Sequence, residues 1–150
     1  MENKTLASNR KAYFNYEILE KTEAGIELFG YEVKSARKNN ISLVDGVVRF
    51  TNGEAFVDNI YIAPYEQLST HVADYDAKRK RKLLLHKREI NRMHALFKEK
   101  GLTVIPLEAY VSKSGKIKLL IGVGKGKHAY DKKESIKKKD IKREMAREGF

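Results

Sequence analysis

The chain of 150 residues contains no cysteine and no tryptophan, and it has only two prolines. Without cysteine it cannot form a disulfide, a thiolate metal site, an iron–sulfur cluster or a cysteine nucleophile. No apolar run approaches the roughly 18 residues that span a membrane, and residues 1–11 lack the apolar core of a signal peptide. We therefore expect a soluble cytoplasmic protein, large enough to bury about 70% of its unfolded surface without disulfides or metals.

Motifs for catalysis and nucleotide binding are also missing. The glycines of segment 122–127 match neither G-x-x-x-x-G-K-[ST] nor G-x-G-x-x-G. The four histidines, His71, His86, His94 and His128, have no close metal-ligand spacing. There is no G-x-S-x-G elbow, and no pair of carboxylates stands out as an acid and a base. The sequence gives no positive support for a metal, a cofactor or an enzymatic activity.

Positive charge is abundant and clustered. The net charge is +11, from 31 Lys and Arg against 20 Asp and Glu, yet segment 13–77 carries five bases and eleven acids. Segment 78–92 carries eight bases and one acid, and the last 26 residues carry ten bases and five acids. Clustered cations create a local potential that attracts phosphates, so the partner is a nucleic acid or an acidic membrane surface. For any one cluster taken alone, the simpler interpretation is a set of exposed charges that face solvent.

Aromatic residues beside the first basic cluster favour RNA. Asn9-Arg10-Lys11 precedes Tyr13, Phe14 and Tyr16, which alternation assigns to a strand. Phosphate contacts from the basic residues and stacking from the aromatic rings suit a folded RNA with exposed bases. A second cluster, residues 78–82, leads into three leucines that require burial.

Apolar residues at every second position predict six strands arranged as three hairpins. Asn52-Gly53 is the strongest local signal, because this dipeptide suits the positive φ angles of a two-residue type I′ turn. A turn at residues 22–25 is expected in the first hairpin, and one at 112–115 in the third. The hairpins pair segments 12–18 with 26–30, 47–50 with 55–62, and 102–111 with 116–123.

Three short helices are predicted between the hairpins, at residues 32–38, 64–70 and 86–100. In the last of these, Ile90, Met93 and Phe97 form one apolar stripe, and Gly101 is expected to end the helix. Short, even strands with inserted helices are typical of a mainly β fold, an antiparallel six-stranded barrel of the oligonucleotide-binding (OB) type. An open antiparallel sheet covered by helices is the alternative.

The C-terminal segment differs from the rest. We predict a barrel domain over residues 1–123, with a flexible segment 1–8, and a basic tail over residues 124–150. Ile136, Ile141 and Met145 do not form one wide apolar face, so the tail has little to bury on its own. We expect it to be disordered when free and helical when bound, because a partner must offset the entropy of ordering it.

Six motifs in one collinear order resemble those of the bacterial SsrA-binding protein family, also called small protein B. In chain order they are NRKA at 9–12, EAGIEL at 23–28, GYEVKS at 30–35, STH at 69–71, RKLLLHK at 81–87, and KGK at 125–127 followed by YDK at 130–132. Lys133 and Lys139 stand where the family commonly has Arg. Lysine keeps the charge but loses the planar fork of arginine.

The resemblance implies a non-enzymatic RNA-binding protein without a cofactor. Its OB-type barrel would grip the tRNA-like domain of transfer-messenger RNA, and its tail would enter the empty mRNA channel of a stalled ribosome, at the decoding centre of the small subunit. The complex would then support trans-translation and peptide tagging. The protein would act as a monomer, with neither DNA nor membrane as a partner.

The resemblance also assigns roles to individual residues. The RNA-binding set is Asn9, Arg10, Lys11, Tyr16, Glu23, Thr70, His71, Arg81, Lys82 and Lys87. The ribosome-binding set is Lys125, Gly126, Lys127, Tyr130, Asp131, Lys132, Lys133, Ile136 and Lys137.

Glu23 is the one acidic member of the RNA-binding set. Its carboxylate could accept from base amino or imino groups or orient a neighbouring arginine, and the alternative is a turn residue of the first hairpin. Two other functions stay open: a generic ribosome-associated protein that binds many structured RNAs, and a nucleotide-dependent enzyme that uses the glycine segment.

Overall fold

The computed structural model describes residues 4–65 and 75–126. Most of the predicted helix at 64–70 lies outside these ranges, as do residues 127–150. Within the described ranges no helix combines the length and the apolar character needed to cross a membrane. The helices are α1 Arg10–Asn15, α2 Gly30–Arg37 and α3 Lys87–Lys100. The strands are β1 Lys4–Ser8, β2 Tyr16–Ile26, β3 Ile41–Ser42, β4 Val47–Thr51, β5 Glu54–Asp58, β6 Tyr61–Ile62, β7 Arg81–Leu84, β8 Thr103–Val111 and β9 Ile117–Gly126.

Seven strands form one antiparallel sheet in the order β1-β8-β9-β2-β7-β5-β4, and β3 pairs with β6 in a small second sheet. The mainly β fold with three helices is therefore confirmed for the described residues, but the count of six strands is wrong. The sheet curls until β4 approaches β8, yet the edge strands β1 and β4 do not pair with each other within the described residues. The sheet is therefore not a closed barrel.

Both ends of the predicted barrel domain differ from expectation. Residues 4–8, predicted as flexible, form β1 and pair with β8. At the other end, β9 continues past the expected boundary at 123 and ends at Gly126, opposite Tyr16. The sheet therefore includes the first residues of the segment that was assigned to the tail.

The predicted first hairpin is wrong. Asn9 caps a helix instead, because its Oδ1 accepts from the N–H of Ala12 at 3.1 Å, which makes residues 10–15 helical. Strand β2 then runs without interruption through the expected turn at 22–25. Gly25 pairs with Lys118 on one side and Leu84 on the other, where a Cβ would lie 3.2 Å from Cβ of Leu84.

The other two hairpins are confirmed, although the second strand of the 47–62 hairpin ends at Asp58 and residues 61–62 pair with β3 instead. The helices predicted at 32–38 and 86–100 are confirmed as α2 and α3. Asn52 and Gly53 adopt φ angles of 51° and 75°, as the type I′ turn requires. Gly101 adopts φ 65° and ends α3 in the left-handed conformation. The apolar stripe of α3 is shorter than expected, since Ile90 and Met93 are buried but Phe97 is 52% exposed.

Candidate nucleic-acid interface

A cleft of about 910 Å³ opens beside the central strands of the sheet. Strands β2 and β9 contribute to its floor, and the β4–β5 turn, β7 and the N-terminal end of α3 complete its lining. It contains three of the predicted RNA-binding residues, Glu23, Lys82 and Lys87. The lining residues are Glu23, Gly25, Asn52, Gly53, Glu54, Ala55, Lys82, Leu83, Leu84, Leu85, His86, Lys87, Glu89, Ile90 and Lys118.

Glu23 lies in the middle of β2, opposite Leu120 of β9, so the turn alternative for this residue is wrong. Its Oε2 accepts a hydrogen bond from the hydroxyl of Tyr110, a buried residue of β8. Burial raises the pKa of Tyr110, and the hydrogen bond to Glu23 and its negative charge raise it further. Tyr110 therefore stays a neutral donor and fixes the carboxylate. Tyr110 could not be identified from the sequence, since a tyrosine in an apolar strand carries no sign of its partner.

The cleft balances cations against carboxylates. Nζ of Lys82 lies 3.0 Å from Oε2 of Glu54, and this hydrogen bond, with the carboxylate charge, raises the pKa of Lys82. Glu89 accepts from the backbone N–H of His86 at 3.0 Å and caps α3. Every carboxylate in the cleft is thus held by a protein donor. Lysines in such a cleft can contact phosphates, and the remaining carboxylate lone pairs can accept from base amino groups.

Arg81 precedes Lys82 but points to the opposite side of β7 and is fully buried. Its Nη2 lies 2.7 Å from Oε2 of Glu32, and its Nη1 donates to the carbonyl of Ile60 at 2.9 Å. The structure therefore gives Arg81, predicted to bind RNA, an internal role that joins β7 to α2. Arg81 and Lys82 are successive residues of β7 and face opposite sides of the sheet, so the basic run 78–82 does not present all its charges on one face.

Glu32 is the centre of this buried cluster. Its carboxylate also accepts from Arg79 at 2.6 Å, from the hydroxyl of Tyr75 at 2.9 Å and from the N–H of Phe29 at 2.8 Å. Burial alone would raise the pKa of Glu32, but the hydrogen bonds from Arg79, Phe29 and Arg81, with the charge of Arg81, lower it overall. The carboxylate is therefore ionised in the folded protein and fully partnered, as a buried charge requires.

Asn9, also predicted to bind RNA, is only 2% exposed. Its Nδ2 donates to the carbonyls of Leu43 at 3.1 Å and Pro106 at 2.9 Å, while its Oδ1 caps α1. All of these contacts lie inside the protein. The structure therefore gives Asn9 a structural role, which is to fasten α1 to β8 and to the loop after β3.

Three further predicted residues lie away from the cleft. Arg10 and Lys11 are exposed on α1, and Tyr16 begins β2 opposite Gly126. A shallow depression of about 230 Å³ beside α1 is lined in part by Lys11 and Tyr16. The described RNA-binding candidates that reach the surface therefore divide between two places, the cleft and this α1 surface, which we define by Arg10, Lys11 and Tyr16.

The predicted ribosome-binding residues are only partly described. Lys125 and Gly126 belong to β9, and Lys125, which is exposed, lies opposite Glu17. The rest of this set lies outside the described ranges: Lys127, Tyr130, Asp131, Lys132, Lys133, Ile136 and Lys137. The predicted RNA-binding residues Thr70 and His71 lie outside them as well. In residues 4–65 and 75–126, no three His, Asp or Glu side chains are grouped closely enough to hold a metal ion.

Comparison with known proteins gives one consistent result. The family model described as SmpB protein matches residues 6–149. An SsrA-binding protein of Coprothermobacter proteolyticus is 55% identical over 146 residues, which are 97% of this chain and 97% of the relative. One of Latilactobacillus sakei is 52% identical over 142 residues, with 95% and 89% covered.

A solved structure gives the same family. One chain of the structure described as "tmRNA-SmpB: a journey to the center of the bacterial ribosome" superposes with a TM-score of 0.70 at 45% identity. The match covers 95% of this chain and 97% of that one. Matches over nearly the full length, by sequence and by structure, show that the chain belongs to the SmpB protein family.

Proposed function

We propose that this protein binds the tRNA-like domain of transfer-messenger RNA through the cleft and acts with that RNA in trans-translation on stalled ribosomes. The observation that carries the proposal is that Glu23, Lys82 and Lys87 line one cleft although they come from three separate elements. The relatives support it, since they are named SsrA-binding proteins and the solved relative is a tmRNA–SmpB structure with the ribosome in its description.

The composition of the cleft suits a folded RNA better than a bare phosphate chain. Lys82, Lys87 and Lys118 supply phosphate contacts, which position an RNA without reading it. Glu23, held by Tyr110, accepts from base amino or imino groups, which a bulge or loop of folded RNA can present. Affinity then comes from the lysines, and preference among RNAs comes from the carboxylate.

In this proposal the α1 surface also contacts transfer-messenger RNA, and the tail contacts the ribosome. Arg10 and Lys11 offer charge and Tyr16 a ring, close to Gly126, the last residue of β9. Residues 127–150 enter the mRNA channel, disordered beforehand and helical once bound, with Tyr130 available to stack on a base. The role is non-enzymatic, and the protein acts as a cytoplasmic monomer. We also propose that the sheet is an OB-type barrel left open between β1 and β4, which the approach of β4 to β8 supports.

A gel shift with the tRNA-like domain of transfer-messenger RNA, competed with excess ordinary tRNA, tests the RNA partner. The wild-type protein should keep its complex under competition. Lys82→Ala and Lys87→Ala should weaken binding, and each should reduce the slope of log affinity against log salt, to which every neutralised phosphate adds somewhat under ~1.

The matched control is Lys113→Ala, which removes an exposed lysine from the β8–β9 turn, outside the cleft. It should leave the affinity and the salt slope unchanged. Equal competition by ordinary tRNA would instead indicate a generic structured-RNA-binding protein. An unaltered slope in the Lys82 and Lys87 variants would show that RNA binds elsewhere.

A further inference from the structure

The pair between Glu54 and Lys82 has a consequence for RNA selection, which rests on the proposed function. We propose that Glu54 is a specificity-determining residue of the cleft. It competes with RNA phosphate for Lys82, and it thereby disfavours RNAs that offer the cleft phosphates alone. An RNA that also presents a base amino or imino group can satisfy the displaced carboxylate.

The geometry makes the competition direct. Nζ of Lys82 is 3.0 Å from Oε2 of Glu54, and the two side chains are 37% and 48% exposed. Both residues line the cleft, Glu54 at the start of β5 and Lys82 on the paired strand β7, where it lies opposite Phe56. An exposed ion pair of this kind is weak, so a phosphate entering the cleft can take the place of the carboxylate.

Glu54 differs from the other two carboxylates of the cleft. Glu23 is held by the neutral hydroxyl of Tyr110, and Glu89 is held by a backbone N–H. Displacing either one would release no cation for a phosphate. Among residues 4–65 and 75–126, Glu54 is the only carboxylate lining the cleft that forms a salt bridge with a lysine. Its charge, which acts on Lys82 more strongly than that of the neighbouring Glu27, therefore governs how readily Lys82 takes a phosphate.

Displacement has a different cost for different RNAs. A phosphate on Lys82 brings a like charge close to the carboxylate of Glu54, and the two repel each other across a partly screened gap. A base N–H donor in the same place converts that repulsion into a charge-assisted hydrogen bond. A cost that one RNA can offset and another cannot is a mechanism of discrimination.

The test measures binding of the tRNA-like domain of transfer-messenger RNA and of bulk tRNA to four proteins: wild type, Glu54→Gln, Lys82→Ala and the double variant. Glu54→Gln should raise the affinity for bulk tRNA by about two- to fivefold, the effect of removing one exposed charge pair. The cognate affinity should not rise, because relief of the competition is offset by loss of the charge-assisted hydrogen bond to the carboxylate. In the Lys82→Ala background, the gain for bulk tRNA should fall below about twofold, because the competition acts through Lys82.

Asp58→Asn is the matched control, because it removes the same negative charge as Glu54→Gln but outside the cleft. Asp58 forms a salt bridge with Arg49 at 2.8 Å. The control variant should change neither affinity. An equal gain for both RNAs in Glu54→Gln, or a gain for bulk tRNA that survives Lys82→Ala, would each overturn the inference. The wild-type protein separately tests the proposed function, since lack of preference for the tRNA-like domain would contradict that function whatever Glu54 does.

Discussion

At the scale of single residues, Arg81 and Lys82 show how two neighbours in one basic run acquire different roles. Arg81→Ala leaves the buried carboxylate of Glu32 with fewer partners, and we expect it to lower the free energy of unfolding by about 3–5 kcal/mol. Lys82→Ala should leave unfolding unchanged and weaken RNA binding. Urea denaturation and gel shifts on both variants check this. Similar unfolding curves for the two variants would contradict the assignment.

The lowered pKa of Glu32 makes stability depend on pH in a definite direction. The pKa of Glu32 in the folded protein lies below its value in the unfolded chain. The ionised carboxylate therefore adds its full stability above the unfolded-state pKa, and this stability is lost as the pH falls through the folded-state pKa. Urea denaturation of the wild type should therefore show a loss of stability on acidification below the ordinary carboxyl range. Glu32→Gln should be less stable at neutral pH and show a shallower acid loss; parallel pH curves would show that another group is responsible.

Tyr110 is expected to act on RNA selection through Glu23. Tyr110→Phe removes the donor that fixes the carboxylate and should narrow the preference for transfer-messenger RNA over tRNA, as Glu23→Gln should. The stability cost should be about 1 kcal/mol, the usual value of one hydrogen bond. Competition binding on both single variants and the double variant checks this. Additive losses would mean that the two residues act independently.

Residue roles were predictable only where side-chain direction mattered little. Glu23, Lys82 and Lys87 do share a cleft, but Asn9 and Arg81 turned out to be internal. Arg81 is buried because Glu32 lies on its side of the sheet, 49 positions earlier in the chain. A motif gives the residue types at its positions, but it does not show which side of a strand meets a distant partner.

At the scale of elements, turn and cap residues predicted the structure well where no second local pattern favoured a different element. Asn52-Gly53 and Gly101 adopt the positive φ angles expected of them. Segment 10–15 had a competitor, because its apolar alternation is compatible with a strand while Asn9 offers a helix cap. The cap prevailed, and Ala12 packs against Ile105 and Leu107. Those two contacts come from β8, which sequence periodicity cannot bring to the segment.

Packing around Gly46, in the turn between β3 and β4, gives a prediction at this scale. A Cβ at Gly46 would lie 2.6 Å from Cγ of Pro106 and 2.7 Å from Cγ2 of Ile60, and both neighbours are buried. Gly46→Ala should cost about 1–3 kcal/mol of stability through overpacking. Gly30→Ala is the control, because nothing lies within 4 Å of its Cβ position in the first turn of α2. Urea denaturation should show that Gly30→Ala leaves the free energy of unfolding unchanged or raises it slightly. Equal losses of stability in the two variants would argue against overpacking at Gly46.

At the scale of the whole molecule, the proposal separates RNA binding from ribosome engagement. Deletion of residues 130–150 removes none of the buried core described here, so the melting temperature and binding to free transfer-messenger RNA should stay nearly unchanged. Peptide tagging on stalled ribosomes should be lost. Tyr130→Ala should reduce tagging and Tyr130→Phe should retain it, if the ring stacks on a base.

Two results would contradict this division of roles. One is a shortened protein that still supports tagging, and the other is a shortened protein that no longer binds free transfer-messenger RNA. Melting curves recorded on the same samples would show whether a loss of binding reflects unfolding.

Strand β2 fixes the distance between the cleft and the C-terminal end of β9. Glu23 lies in the cleft, and Tyr16, seven residues earlier on the same strand, is opposite Gly126, the last residue of β9. Because β2 carries a bulge between Ile18 and Glu20, only six residues of β9 span this stretch, and at about 3.3 Å per residue the two points are roughly 20 Å apart. Pairing with β9 along this stretch makes residues 16–23 of β2 rigid, so the distance between the two points stays constant. If RNA binds in the cleft as we propose, it is held at a constant distance from Gly126, and the protein acts as a gauge between the two.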